Sequence, residues 1–203
     1  MSQDANLQPL VAGAYMGLAD VLSELAGDDW DAPSLCEGWR IREVIAHLTM
    51  PARYDQEAFM QELEARQFDF AKLSNEIAAR DGQASTDGLL ADLRSEQLHH
   101  WAPPGGGYHG ALNHVVIHGL DVTEPLGVST RTPDQTLRIV LTDLTEGEMH
   151  RHFGTEIAGK RLEATNLDWS FGSGPVLRGA AGDLALVLCG REIPDGRLEG
   201  ALA

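Results

Sequence analysis

The sequence predicts a mainly α-helical protein: a helical bundle over residues 1–128, then a small α+β module over residues 129–203. Three observations carry this reading. Apolar residues recur at three- and four-residue spacing through most of the first part. The breakers between those stretches are short, as connections within helix bundles are. Near position 128 the pattern changes to one amphipathic helix, a segment of alternating apolar residues bounded by Gly and Pro, and a last helix. A chain of 203 residues holds one large domain or two small ones.

Leu7, Leu10, Val11, Ala14, Tyr15, Leu18, Val21, Leu22 and Leu25 mark the first helix, and Gly27 offers a stop. After a loop with Pro33 and Gly38, Ile41, Val44, Ile45 and Leu48 mark the second. Pro51 has no N–H to offer the carbonyl of residue 47, so the chain kinks or ends there. Residues 53–80 read as further helix, polar and partly exposed. Ser85 or Thr86 caps the next helix, with Leu89, Leu90, Leu93 and Leu98 on its inner face. The run Pro103-Pro104-Gly105-Gly106-Gly107 leads into a helix from about Gly110 to Val122, which Pro125 and Gly127 close.

In the second part, Thr132-Pro133-Asp134-Gln135 reads as a capping box with Pro at the first helical position. The helix it opens carries Leu137, Val140, Leu141 and Leu144 and ends at Gly147. Leu162 and Ala164 lie on one phase of an extended segment, and Leu167, Trp169 and Phe171 on the other. A bulge or a turn is therefore expected near Thr165-Asn166. Val176 and Leu177 start another short strand after the turn Gly172-Ser173-Gly174-Pro175, and a last helix runs from Ala181 to Cys189.

Composition narrows the function classes. The net charge of −16 argues against nucleic acid and against an anionic membrane surface, both of which need a basic face. The acid is uneven: residues 1–128 hold 20 acidic and 7 basic side chains, residues 129–203 hold 11 and 8. An anionic ligand is repelled by the first part unless a local positive charge, such as a metal ion, sits there. Two cysteines, Cys36 and Cys189, exclude a disulfide framework and a multi-cysteine zinc module, and both read as small core residues. The start Met1-Ser2-Gln3-Asp4 lacks the pattern of a signal peptide, and no apolar run reaches the roughly 18 residues of a membrane span. A cytoplasmic protein is expected.

The chemistry concentrates in one segment, Asn113 to Asp121. At 100° per residue, His114, His118 and Asp121 fall within a sector of about 60°, on a helix otherwise apolar nearly all round. Buried imidazoles need either hydrogen bonds or a shared metal, and the spacing alone leaves both open. It is not the H-E-x-x-H of zinc proteases, because Val115 stands where the glutamate belongs. His47, on the second helix beside its apolar stripe, is the candidate third ligand, or else an imidazole bonded to Glu43 one turn earlier. Asp121 is placed to orient His118, to act as a base or to ligate, or else to bond the turn that follows the helix. The Gly105-Gly106-Gly107-Tyr108 stretch lacks the G-K-[ST] of a phosphate loop and reads as a flexible turn or a lid. His99-His100, His150 and His152 read as solvated.

Three ordered blocks then resemble a known family. Leu35 to Leu48, with Cys36, Gly38, Trp39, Arg42, Glu43, Val44 and His47, is similar to the first block of the mycothiol-dependent maleylpyruvate isomerase family, a branch of the DinB-like four-helix bundles. His118-Gly119-Leu120-Asp121 through Pro125-Leu126-Gly127 resembles the second block, and Asp168-Trp169 through Gly179 the block of the C-terminal module, whose helix ends like Leu188-Cys189-Gly190-Arg191. The resemblance implies a divalent metal, usually zinc, held by His47, His114 and His118, with mycothiol as cosubstrate. The activity implied is S-transfer to, or cis–trans isomerisation of, a small electrophilic substrate. A DinB-like metal enzyme without a thiol, and a non-catalytic metal-binding bundle, are the alternatives. Asp121, Arg40 and Arg191 are the candidate catalytic residues, and Trp39 and Arg178 the candidates for contact with the thiol. Arg is used 13 times against 2 Lys, which suits a GC-rich genome such as those of mycothiol producers. One departure stands out: some members, isomerase-type ones included, carry Glu where this chain has His114. DinB-like bundles can pair, so a homodimer is the one macromolecular partner expected.

Overall fold

Pro9 lies in the first turn of the first helix, where its missing N–H has no intrahelical partner to lose. That helix, α1 (Gln8–Ser23), buries Val11, Tyr15, Leu18 and Leu22 as one stripe. The computed structural model describes residues 6–200; Met1 to Asp4, read above for a signal segment, lie outside the described residues. The chain divides into two compact units, Met1–Arg131 and Thr132–Ala203. No helix among the described residues is long and apolar enough to cross a membrane.

In the first unit, α1 and a 3-10 turn (Gly27–Asp31) are followed by α2 (Ile41–Leu48), α3 (Met50–Arg53), α4 (Gln56–Glu64), α5 (Phe70–Asp81), α6 (Thr86–Leu93), α7 (Glu96–His99) and α8 (Gly107–Thr123). The break between α2 and α3 is the one Pro51 requires. Ser85 caps α6 through its Oγ, which accepts from Gly88 N at 3.2 Å. Leu98 falls on a separate short helix, because Ser95 restarts the chain by capping α7. α2 packs against α5 and α8, and α8 also packs against α1.

The polar helix expected over residues 53–80 is two helices. The break falls at Gln67 and Phe68, which adopt φ of 57° and 62° without a glycine to ease it. Asp69 then caps α5, accepting from Lys72 N at 2.9 Å. α5 is not merely a polar surface helix. Leu73 and Ile77 are fully buried, with Ser74 and Ala78 on the same face. Small residues on that face hid the stripe.

His99 and His150 are buried rather than solvated. His99 Nε2 donates to Leu93 O at 2.9 Å, and its ring lies 6.0 Å from that of Tyr15. His150 Nδ1 donates to Leu144 O at 2.8 Å. Each ring caps carbonyls at the end of a preceding helix, which local polarity in the sequence did not reveal. The glycines before α8 likewise serve close packing. A Cβ on Gly110 would lie 2.8 Å from Pro103 Cγ, and one on Gly106 3.0 Å from it. Pro103 is thus seated on the first turn of α8, which gives that stretch a packing role.

In the second unit, α9 (Asp134–Thr145) begins with Pro133 in the cap position, one residue later than the capping-box reading. A 3-10 turn (Met149–Phe153) leads to β1 (Arg161–Ala164), β2 (Ser170–Gly172), β3 (Val176–Gly179), α10 (Ala181–Leu188) and β4 (Leu198–Glu199). The sheet order is β2-β1-β3-β4. β1 and β2 form an antiparallel pair with Leu162 opposite Phe171, so the phase switch is a turn between strands. β1 and β3 run parallel, with Leu162 opposite Leu177. The two-residue β4, too short to show a period, pairs antiparallel with β3.

Two glycine substitutions should move stability in opposite directions. Gly13→Ala, on the exposed side of α1 with nothing within 4 Å of the new Cβ, should stabilise by about 0.5–1 kcal/mol. Gly110→Ala, against the rigid ring of Pro103, should destabilise by about 1–3 kcal/mol. Urea unfolding of both variants checks the pair.

Candidate metal centre

α2 is eight residues long and firmly capped. Glu43 accepts from Arg40 N at 2.8 Å and from the Arg40 guanidinium, which also pairs with Asp31 at 2.6 Å. Burial pushes the Glu43 carboxyl up, but the bonds from Arg40 outweigh it and leave the group below the usual carboxylate range. Glu43 therefore holds Arg40, not His47. One turn on, the buried His47 finds Ser74 of α5 instead: Nδ1 lies 2.9 Å from Ser74 Oγ.

With Nδ1 engaged, His47 presents Nε2 to α8, where Nε2 of His114 lies 3.1 Å away. The ring of His118 completes the group. Centroids are 5.1 Å apart for His47–His114, 5.1 Å for His47–His118 and 4.9 Å for His114–His118. The rings are nearly perpendicular in pairs, at 81° to 83°. His118 Nδ1 donates to Asp121 Oδ2 at 2.9 Å, leaving Nε2 for the cluster. One nitrogen from each histidine lies within 4.8 Å of the others.

This geometry fits a cation. Three neutral nitrogens about 2.0–2.1 Å from one ion at tetrahedral angles stand about 3.3 Å apart, close to the His47–His114 separation. Two of the rings are in the state that binding needs. Burial, with the neighbouring His118, pushes His47 down to about 3 and His114 well below the usual imidazole range, so both are neutral at neutral pH. Behind two of the rings stand groups that set their orientation, Ser74 and Asp121. Nδ1 of His114 is buried without a hydrogen-bond partner.

The structure thus brings together four residues singled out in the sequence, His47, His114, His118 and Asp121. Trp39 stands beside them, its ring 5.1 Å from that of His47 and its Nε1 donating to Asn75 Oδ1 at 2.9 Å. Arg40 faces Asp31 and Glu43 at the start of α2. In the second unit, Arg178 pairs with Glu163 across β1 and β3, while Arg191 donates to Cys189 O at 2.8 Å and lies over the Phe153 ring.

Three neighbours were missed in the sequence. Ser74 carried no signal, being one small polar residue on a helix read as surface. Trp101, in the loop before α8, has its ring 6.1 Å from that of His114. Cys36, read as core filler, is half-buried and donates to Asp121 Oδ2 at 3.1 Å. Its place in the first resembling block was the signal available.

Comparison with known proteins places the chain. No curated protein matches the sequence. Among solved structures, the crystal structure of the mycothiol-dependent maleylpyruvate isomerase is similar, with a TM-score of 0.60 at 17% identity over 97% of this chain and 92% of that one. A histidine-to-alanine mutant of that isomerase aligns with a TM-score of 0.59 at 16% identity, over 96% of each chain. At such identity the likeness shows the fold. The family described as mycothiol maleylpyruvate isomerase N-terminal domain matches residues 12–123, more than half of the chain and all three histidines. The chain belongs to that family.

Proposed function

We propose that this protein is a divalent-cation enzyme that uses a low-molecular-weight thiol, mycothiol, to isomerise a small electrophilic substrate by reversible addition to an activated double bond. The observation that supports it most directly is the convergence of three imidazole nitrogens from α2 and α8. His47, His114 and His118 hold the cation, zinc in this reading. When bound, it supplies a positive charge that favours the thiolate over the thiol.

The chain's own residues do the rest. Three neutral ligands leave the charge of the cation undiminished, whereas a carboxylate at position 114 would remove part of it. Ser74 and Asp121 fix the ring planes of His47 and His118, so donors are already aimed when the cation arrives. Trp39 and Trp101 flank the histidines with apolar ring surface, which excludes water and offers a face to an unsaturated substrate. Arg40 supports the His47 helix through Glu43 and Asp31.

Two measurements test the reading. His114→Ala should abolish both cation uptake, read by elemental analysis, and thiol-dependent turnover. Asp121→Asn and Ser74→Ala should each weaken cation affinity by roughly 10–100-fold. Calorimetry with mycothiol should show heat with cation-loaded protein; its absence would remove the thiol from the proposal. During turnover an isomerase returns the thiol, while stoichiometric thiol loss would mark a transferase.

The chelated protein should also show a defined pH response. The folded-state pKa of His47 and of His114 lies below the unfolded value of about 6.5, so the unfolded chain takes up protons first as pH falls. Stability is complete above pH about 6.5 and is lost progressively as pH falls toward 3. His114→Gln should flatten that slope in urea titrations at successive pH values.

A further inference from the structure

The loop between the 3-10 turn and α2 reaches the site from outside. It is a closed, tied-down turn. Ser34 N donates to Trp39 O at 3.0 Å, and Trp39 N to Cys36 O at 3.0 Å. Ser34 Oγ accepts from Cys36 N at 3.1 Å and donates to Trp39 O at 2.7 Å. Gly38, at φ of 77°, makes the reversal possible. Leu35 N donates to Asp121 O at 3.0 Å, which fastens the turn to the end of α8.

That anchoring sets the next side chain. The Cys36 thiol donates to Asp121 Oδ2 at 3.1 Å, and the same oxygen accepts from His118 Nδ1 at 2.9 Å. Sγ itself stands 3.7 Å from His118 Nδ1. Asp121 is fully buried, so no bulk water takes the place of a lost donor. An oxygen held by two donors keeps one orientation, and the imidazole it accepts from keeps one tautomer. On the same turn Trp39 lies beside His47, so one loop steadies two of the three histidines.

We infer that Cys36 is a positioning residue: its thiol fixes the Asp121 carboxylate, which in turn aims His118 at the cation. This inference rests on the three-histidine reading above and extends it by one residue. It gives Cys36 no covalent chemistry. A competing use of the same atoms is coordination, since Cys36, His118 and Asp121 also offer one donor atom each within 4.8 Å of one another.

Cobalt(II) titration of the chelated protein separates these uses, with affinity read by competition against a chromogenic chelator. Cys36→Ala should weaken cobalt affinity on the order of tenfold, the low end of the range for groups behind a ligating histidine. Cys36→Ser, which keeps a donor, should restore most of the affinity. In an Asp121→Asn background, Cys36→Ala should add nothing, because the link it acts through is already cut. The wild-type cobalt spectrum should show no sulfur-to-cobalt charge-transfer band. Unchanged affinity in Cys36→Ala, or a loss that persists in the Asp121→Asn background, would overturn the inference while leaving the three-histidine reading intact. A charge-transfer band that disappears in Cys36→Ser would overturn it in favour of coordination, a readout independent of how well Cys36→Ala folds. If wild-type protein takes up no cobalt, the three-histidine reading fails and this inference with it.

Discussion

Nε2 of His47 and Nε2 of His114 face each other at 3.1 Å, and much of the bundle is arranged to allow it. Rings pushed together in a half-buried site lose hydration, so the helices that carry them must be held by other means. α2 does this with a fully buried face of Ile41, Val44, Ile45 and Leu48. Its two ends are closed by separate devices. Arg40 and Glu43 close the start, while Arg53 reaches back to Ala46 O at 2.5 Å and to Thr49 Oγ at 2.8 Å. Arg53 is itself held by Asp81 and Asp92. The kink that Pro51 imposes thus has a use. It turns the chain so that α3 can bring Arg53 under the last carbonyls of α2.

The parts of this arrangement that a sequence displays are those set by local period. α1, α2, α8, α9 and α10 follow from apolar spacing, and the His114, His118, Asp121 sector follows from one helix turn of geometry. The match of residues 12–123 to the family agrees with the resemblance carried by the first two blocks. What stayed hidden depends on a partner from elsewhere in the chain. Ser74 matters only because α5 lies against α2, and nothing in Leu73-Ser74-Asn75 says so. Gln67 and Phe68 turn the chain without the residues that usually mark a turn. His99 and His150 look solvated among polar neighbours, yet each ring bonds a carbonyl six residues earlier. Cys36 lies 85 positions from Asp121, a separation no periodicity can bridge.

The three histidines are not equivalent. His118 is backed by a buried carboxylate, His47 by a hydroxyl, and His114 by no hydrogen-bonding group. A carboxylate behind an imidazole raises its basicity as a ligand and fixes its tautomer more firmly than a hydroxyl does. In the proposed cation site, affinity therefore rests most on His118, and His114 is the ring with the weakest restraint on its plane. An imidazole at position 114 leaves one buried ring nitrogen with no hydrogen-bond partner.

Charge sets an order of events for the proposed reaction. Each of the seven basic side chains in residues 1–128 faces a carboxylate: Arg40 and Arg42 meet Asp31, Arg53 meets Asp81 and Asp92, Arg66 meets Glu62 and Glu76, Lys72 meets Glu76, Arg80 meets Glu62 and Asp81, and Arg94 meets Asp20. The bundle therefore offers an incoming anion paired cations inside a strongly acidic envelope. Such an envelope favours the approach of a divalent cation over that of a thiolate or a carboxylate. In the proposed reaction the anionic reactant can gain from the bundle only after the histidines are loaded. In the proposed site, histidine ligands and an acidic surround therefore act together: the first preserve the positive charge of a bound cation, and the second leaves that cation as the attraction for an anion.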